Sequence, residues 1–332
     1  MQNKKKVSIV ITSIAKPTKA IIEIKNKIKK LSNFNLIIIG DLKSPINNIH
    51  DLNYLSISDQ KKYNYSIIKK LPYNSYTRKN IGYILSIKND TDIIIDTDDD
   101  NYPYRSFFNI PNKKIKSNIV GKSKWINIYK FFTNKHIWPR GFPLELVTEK
   151  KNNQYFKKEV VSPVQQGLAD KDPDVDSIYR LILNKEIIFK KNLQFSLNKK
   201  TYCPFNSQNT VWFKDAFPLL YLPSTCTFRM TDIWRSFIAL RILHENNWYL
   251  TFRSPTMYQL RNEHNLLNDF NDEIIGYQRN HEMINILDNI KIQKGKNHIK
   301  NNLIKIYNQL INKKYFKKIE MDILKAWLKD IS

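Results

Sequence analysis

The run DIIIDTDDDN, Asp92 to Asn101, sets Asp96, Asp98, Asp99 and Asp100 directly after three isoleucines. Carboxylates at the end of a buried strand are costly to desolvate unless a cation meets them. Oxygen ligands favour Mg2+ or Mn2+, and Mg2+ typically takes one or two carboxylates together with substrate phosphates. In extended chain, residues two apart point the same way. Asp98 and Asp100 are therefore the candidate metal ligands, placed to hold the diphosphate of a nucleotide-sugar while the metal acts as a Lewis acid on the leaving group. The competing reading of the same residues is an acidic turn or a helix cap.

Other residues carry chemistry by type and position. Arg78, Lys79 and Asn80 open a helical stretch, where cations oppose the helix dipole; facing an anion would explain them, so Arg78 and Asn80 are assigned to the donor phosphates. The loop Trp138-Pro139-Arg140-Gly141-Phe142-Pro143 is stiffened around one arginine, and a guanidinium clamps phosphate bidentately. Arg140 is expected to touch substrate. Asp172, Asp174 and Asp176 form a second acidic run before a helix, where each also qualifies as a cap. Asp174 and Asp176 are assigned to acceptor hydroxyls, with Trp234 from the later helix beside them. Asp232, in the first turn of that helix, is the candidate base for the acceptor hydroxyl's proton, with Thr231 a good cap in its own right.

The elements that must position these residues are legible. Val7–Thr12 and Asn35–Gly40 read as buried strands, as does Asp92–Asp96. Thr18–Lys30, Tyr63–Leu71 and Arg78–Lys88 have helical spacing. Strand, helix, strand, helix, strand with unbroken apolar strands means a parallel sheet covered on both faces. Ligands in such sheets bind beyond the carboxyl ends of the strands. That brings Thr12-Ser13 and Gly40-Asp41 to the acidic run. Asp176–Leu183 and Asp232–Asn246 read as helices, and the chain is helical, lysine-rich and amphipathic from about Asp272.

With 55 Lys+Arg against 30 Asp+Glu, the formal charge is +25. Such charge suits nucleic acid, an anionic membrane surface or a phosphorylated ligand. The lysines are spread along the chain among abundant Asn and Ile, which AT-rich coding also produces. No nucleic-acid motif or basic arm accompanies the charge, so no specific nucleic-acid partner is expected. Cys203 and Cys226 read as reduced thiols, without metal-ligand spacing. VSIVITSIA is too short and polar for a signal peptide, and no run reaches a transmembrane length. A cytoplasmic location is expected, extending to the inner face of a membrane if the basic C-terminal helix lies on lipid.

Taken together, VSIVITSI, LIIIGD, YTRKNIGY, IIIDTDDDN, WPRGFPLEL, QQGLADKDPDVDSIYRL, TYCPFNSQNTVWF, RMTDIWRSFIALRIL and RNEHNLLNDFNDEIIGY resemble the STELLO-type glycosyltransferases. More loosely they resemble the reversibly glycosylated polypeptides that act as UDP-arabinopyranose mutases. The resemblance covers most of residues 7–280. It implies an α/β fold of the GT-A type, with a mostly parallel central sheet. Residues 1–271 would form the glycosyltransferase-like domain, 1–101 its nucleotide-binding half and 102–271 its acceptor half, with 272–332 a helical basic extension. It further implies a UDP-sugar donor, to go with the Mn2+ or Mg2+ expected at the carboxylates, and leaves the acceptor undefined among glycan, lipid-linked and protein molecules. In that fold Thr12, Ser13 and Asp41 lie near the nucleotide, Asp176 matches the family pattern, Asp232 stands at the base position, and His264 supplies a late metal ligand with Arg261 near the diphosphate. The alternatives are a self-glycosylating UDP-sugar mutase, a metal-dependent nucleic-acid protein and a non-catalytic scaffold of the same shape.

Overall fold

The computed structural model describes residues 4–44, 52, 54–149 and 154–332. Strand β1 (Val7–Thr12) leads into helix α1 (Lys19–Ile28), which Thr18 caps by accepting a hydrogen bond from the Ile21 amide. Strands β2 (Phe34–Ile39) and β3 (Tyr54–Leu55) follow. Helix α2 (Ile57–Lys61) starts with a reciprocal Ser56–Asp59 capping box. A single turn over Tyr76–Arg78 enters helix α3 (Lys79–Lys88), which delivers the chain to β4 (Ile93–Thr97). The middle of the chain supplies β5 (Asn101–Pro103), β6 (Lys114–Val120), β7 (Tyr155–Val161), β8 (Val164–Lys171), helix α4 (Ser177–Ile182), β9 (Gln194–Leu197) and β10 (Asn209–Phe213). Helix α5 (Thr231–Glu245), β11 (Leu250–Gln259) and helices α6 (Leu266–Asn289), α7 (Ile299–Asn312) and α8 (Glu320–Asp330) complete it.

The strands form one 11-stranded sheet in the order β3-β2-β1-β4-β10-β8-β11-β9-β6-β7, with β5 paired to β11. Its first four strands are parallel, as their continuous Ile/Val runs require. Beyond them directions mix, and seven of the eleven strands (β1, β2, β3, β4, β7, β8 and β11) share one direction. This is the α/β architecture expected of a GT-A-type domain. Helix α1 covers one face with Ile21 and Ile24. Helices α3 and α5 and the C-terminal helices cover the other, within one large buried cluster.

Two expectations change. Tyr63–Leu71 forms turns rather than a helix. Ile67 and Leu71 are buried, as its spacing suggested, but the Asp330 carboxylate accepts the Ser66 and Ile67 amides at 3.0 and 2.8 Å, and Pro72 ends the segment. The boundary expected at 271/272 falls inside α6. Leu303, Ile306, Ile323, Leu324 and Trp327 of the C-terminal helices are buried in the same cluster as Ile84 and Phe237, so their apolar faces belong to the core. Among the described residues no helix is long and apolar enough to cross a membrane.

Helix α3 lies close on the sheet because Gly82 faces it. A Cβ there would stand 2.5 Å from Val10 Cγ1 and 3.0 Å from Ile39 Cγ1. Gly82→Ala should destabilise by about 1–3 kcal/mol, despite alanine's better helix propensity, measured as a lower urea midpoint.

Candidate active site

The carboxyl ends of β1, β2 and β4 open into a cavity of about 350 Å³. Thr12 and Ser13 enter from β1, Gly40 and Asp41 follow β2, and Asp98, Asp99 and Asp100 follow β4. Gln259, Arg261, Asn262 and His264, at and beyond the end of β11, close one side. Arg140, Asp174, Arg229 and Asp232 form the far end, with Phe228 53% exposed at the wall. Phe228 meets Tyr76 edge to face.

Asp96 is fully buried between Lys79 of α3 (2.7 Å) and Arg235 of α5 (3.0 Å). The same Lys79 ammonium reaches the Thr97 carbonyl at 2.6 Å and Asp98 at 3.0 Å. Asp96 is thus the strand's anchor, and the residues after it turn into the cavity. Asp98–Asp100 is a turn rather than the extended segment expected, because β4 ends at Thr97. All three carboxylates still line the cavity.

Their environments differ. Asp98 keeps 30% of its side chain open and accepts from Tyr76 at 3.1 Å as well as from Lys79. Desolvation pushes its carboxyl up to about 6, against the pull of Lys79. Asp99 accepts from the Ser13 hydroxyl at 2.5 Å, and burial raises its pKa too. Asp100 accepts from Gln259 at 2.8 Å and the Asn262 amide at 3.4 Å, while its Oδ1 is buried with no hydrogen-bond partner. Burial, then Asp98 and Asp99, push it up to about 7.

At the far end, Arg140 is held by a fork to Asp174 (2.8 and 2.8 Å) and reaches both oxygens of Asp232 (3.0 and 3.1 Å). It also donates to the Arg229 carbonyl. Burial alone would raise Asp174, but Arg140 outweighs it and holds the carboxyl below its ordinary value. Asp232 accepts a third bond from the Ser207 amide at 3.1 Å. A carboxylate has about four acceptor positions, so the bonds among the described residues leave about one, and Asp232 lines the cavity. Arg140 lines the cavity as expected but is committed to carboxylates.

Arg78 is buried with its Nε and Nη2 on the neutral Gln60 (2.9 and 2.5 Å) and its guanidinium over Tyr73. Burial lowers its pKa, with Asp41 opposing. Asp41 accepts the Ser75 amide at 2.9 Å, which pins the loop that leads to Arg78.

Four assigned residues are used elsewhere. Asn80 is buried and pairs with the Leu222 backbone through both amide atoms (2.9 and 2.9 Å), away from any donor. Asp176 caps α4 through the Tyr179 amide and accepts from the Trp138 indole at 2.6 Å. Trp234 packs on Tyr315 and Phe316, with its indole N–H on Asn280. In each case a polar atom inside the core needed a partner and found one there. His264 lines the cavity, but its ring lies 3.4 Å from Asp269 rather than joining Asp98 and Asp100. Among the described residues no three His, Cys, Asp or Glu side chains converge as a metal site.

Sequence reasoning passed over Arg229, Phe228, Gln208, Gln259 and Asn262. They come from three segments, around Gln208, at Phe228-Arg229 and at the end of β11, that only the fold brings together.

A family profile, STELLO glycosyltransferases, matches residues 229–332. The Arabidopsis thaliana protein named "Probable glycosyltransferase STELLO2" is 27% identical over 277 residues, covering 76% of this chain and 35% of that protein. This chain is STELLO-like. The Arabidopsis protein named "Probable glycosyltransferase STELLO1" is also 27% identical, covering 75% of this chain and again 35% of its own length. The STELLO-like chain thus spans about a third of the curated relatives it matches. Among solved structures, a glucosyl-3-phosphoglycerate synthase from Mycobacterium tuberculosis aligns at TM-score 0.41 and 9% identity, over 92% of this chain and 80% of that one. A mycobacterial protein aligns at 0.39 and 9%, over 78% and 68%. Neither likeness adds to the topology described above.

The two kinds of aspartate should separate by stability. Asp96→Asn leaves Lys79 and Arg235 buried without their carboxylate and should cost about 3–5 kcal/mol. Asp100 has a folded pKa above its ordinary 3.8, so its stabilising contribution is complete at low pH and is lost as pH rises toward about 7. Asp100→Asn should therefore match or exceed wild-type stability at pH 8, measured by urea unfolding of both variants.

Proposed function

We propose that this chain is a metal-dependent glycosyltransferase that uses a nucleotide-sugar, with UDP as the carrier that the resemblance implies. The observation that carries the reading is the Asp98–Asp100 turn in the cavity floor. It holds three carboxyls with raised pKa, and among the described residues the buried Oδ1 of Asp100 has no hydrogen-bond partner. A desolvated carboxylate pair of that kind fits a hard divalent cation whose remaining ligands are waters and substrate phosphates. This donor set needs no third protein ligand. Asp98 and Asp100 would hold Mn2+ or Mg2+, and the ion supplies charge stabilisation for the departing diphosphate.

The residues around it have separable tasks. Thr12, Ser13 and Asp41 shape the end of the cavity that receives the nucleoside. Arg78, ionically unpaired at salt-bridge distance among the described residues, adds positive charge behind it. Asp232 takes the proton of the acceptor hydroxyl through its free acceptor position while Arg140 and the Ser207 amide hold its orientation. The acceptor oxygen then bonds to the anomeric carbon as the bond to the diphosphate oxygen breaks, and the diphosphate leaves with that electron pair. Direct displacement of this kind inverts the anomeric centre. Arg140 is a poor candidate for self-glycosylation, because its guanidinium is spent on Asp174 and Asp232.

The donor site is tested by thermal unfolding with UDP, with and without Mn2+. A ligand at 100 times its Kd stabilises the native state by about 2.7 kcal/mol. A Mn2+-dependent upward shift is expected in wild type and none in Asp98→Asn/Asp100→Asn; an equal shift in that double variant overturns the donor site. Binding should also weaken as pH falls from 8 to 5.5, since protons compete for carboxyls that titrate at about 6 and about 7. With a working acceptor, Asp232→Asn should lower kcat by about 10²–10⁴-fold while UDP affinity stays unchanged.

A further inference from the structure

We infer that the Asp232 end of the cavity holds a subsite for an anionic group on the acceptor, a phosphate or a carboxylate, gripped by Arg261 with Arg229 beside it. The assignment to the acceptor rests on the donor reading above; the anion-binding chemistry does not.

Arg261 has the unused capacity. Its side chain is 11% exposed and, among the described residues, makes one ion pair, from Nη2 to Asp269 at 3.1 Å. Its Nε is buried with no hydrogen-bond partner; among the described arginines lining the cavity, no other has such a nitrogen. Leaving a buried donor unmade is costly. A guanidinium presents its N–H groups as a planar fork that fits a phosphate or carboxylate.

The surroundings favour a negative guest. Arg229 is held by Glu273 at 2.7 Å, and Arg180 by Asp172 and the Pro173 carbonyl. Asp269 is shared, since His264 also lies 3.4 Å from it. Burial, then Arg180 and Arg229, lower Arg261 to about 10 against the pull of Asp174 and Asp269.

Position selects the acceptor. Arg261 lies in the field of Asp174, which shares the Arg140 guanidinium with Asp232. An acceptor that brings a hydroxyl to Asp232 places its neighbouring substituents at this end. The donor diphosphate belongs at the Asp98–Asp100 turn. Asn262, the residue after Arg261, touches that turn through its amide on Asp100, so the two subsites adjoin.

The full-length chain with UDP and Mg2+, titrated with inorganic phosphate by calorimetry, tests the assignment. Phosphate should bind the UDP-saturated protein, and Arg261→Gln should weaken phosphate at least tenfold while leaving the UDP Kd within twofold. Arg261→Lys, which keeps the charge without the fork, should fall between them; it also serves if the glutamine variant does not fold. Phosphate binding that is absent, or equal in the variants, overturns the subsite. Loss of UDP affinity in Arg261→Gln instead assigns the arginine to the donor diphosphate and overturns the acceptor role. If UDP fails to bind wild type, the donor reading falls on its own. Phosphate titrated onto the protein alone then decides the subsite, which stands if Arg261→Gln abolishes binding and falls otherwise.

Discussion

The buried triad of Asp96, Lys79 and Arg235 is the interaction on which the rest of the site depends. A carboxylate with no solvent exposure at the end of a hydrophobic strand must be neutralised. Here one cation comes from α3 and the other from α5, so the two helices that cover this face of the sheet are locked to β4 at one point. Because Lys79 also binds the Thr97 carbonyl, the strand stops there and the chain turns. The three aspartates that follow are thereby delivered to the cavity. Thr97 is held from the other side as well, its hydroxyl donating to the Gln208 carbonyl at 2.8 Å.

A second buried charge centre organises the opposite wall. Arg140 takes two carboxylates from segments far apart in sequence, Asp174 before α4 and Asp232 in α5. Buried ion pairs of this kind add little net stability, and their best-attested role is in specifying one arrangement. Here they hold a carboxylate at a cavity wall in one orientation while leaving part of it available. Between the two centres, Asp98 shares the Lys79 ammonium, while Asp99 and Asp100 are held by weaker partners: a serine hydroxyl, two amide side chains and a backbone amide. The site is rigid where its charges are paired. It is polarised at Asp100 Oδ1 and Arg261 Nε, two buried polar atoms without a hydrogen-bond partner among the described residues.

The C-terminal helices belong to this scheme. Asp330, the last residue of α8, satisfies the amides of Ser66 and Ile67, in the segment that ends at Pro72, whose carbonyl accepts from Arg78. A segment that composition alone suggests as a basic appendage instead completes the covering layer over α3 and α5 through Trp327, Leu324 and Ile306. Its lysines stay in water while its apolar stripe is consumed by the core.

Much of this was legible in the residues. The strands β1, β2 and β4 announced themselves through continuous β-branched runs, and a parallel first half followed from burial on both faces. That placement took Thr12, Ser13, Asp41 and the acidic run to one sheet edge, because period and direction are local properties. Asp232 was found because the helix is readable from its periodicity; Thr231, read as its cap, is the first residue inside the helix, and Met230 before it makes no side-chain cap. Tertiary structure decided which charged residue pairs with which. Nothing in the segment tells that Asp96 rather than Asp98 meets two buried cations, that Asp176 caps α4 while Asp174 meets Arg140, or that Asn80 spends its amide on Leu222. Each is settled by the desolvation of a polar atom and by the nearest partner across the fold, often more than 90 residues away. The sequence determined that Thr12, Ser13, Asp41 and the acidic run reach the cavity; only the packed fold decided which other side chains join them and which are left unsatisfied there and therefore open to a ligand.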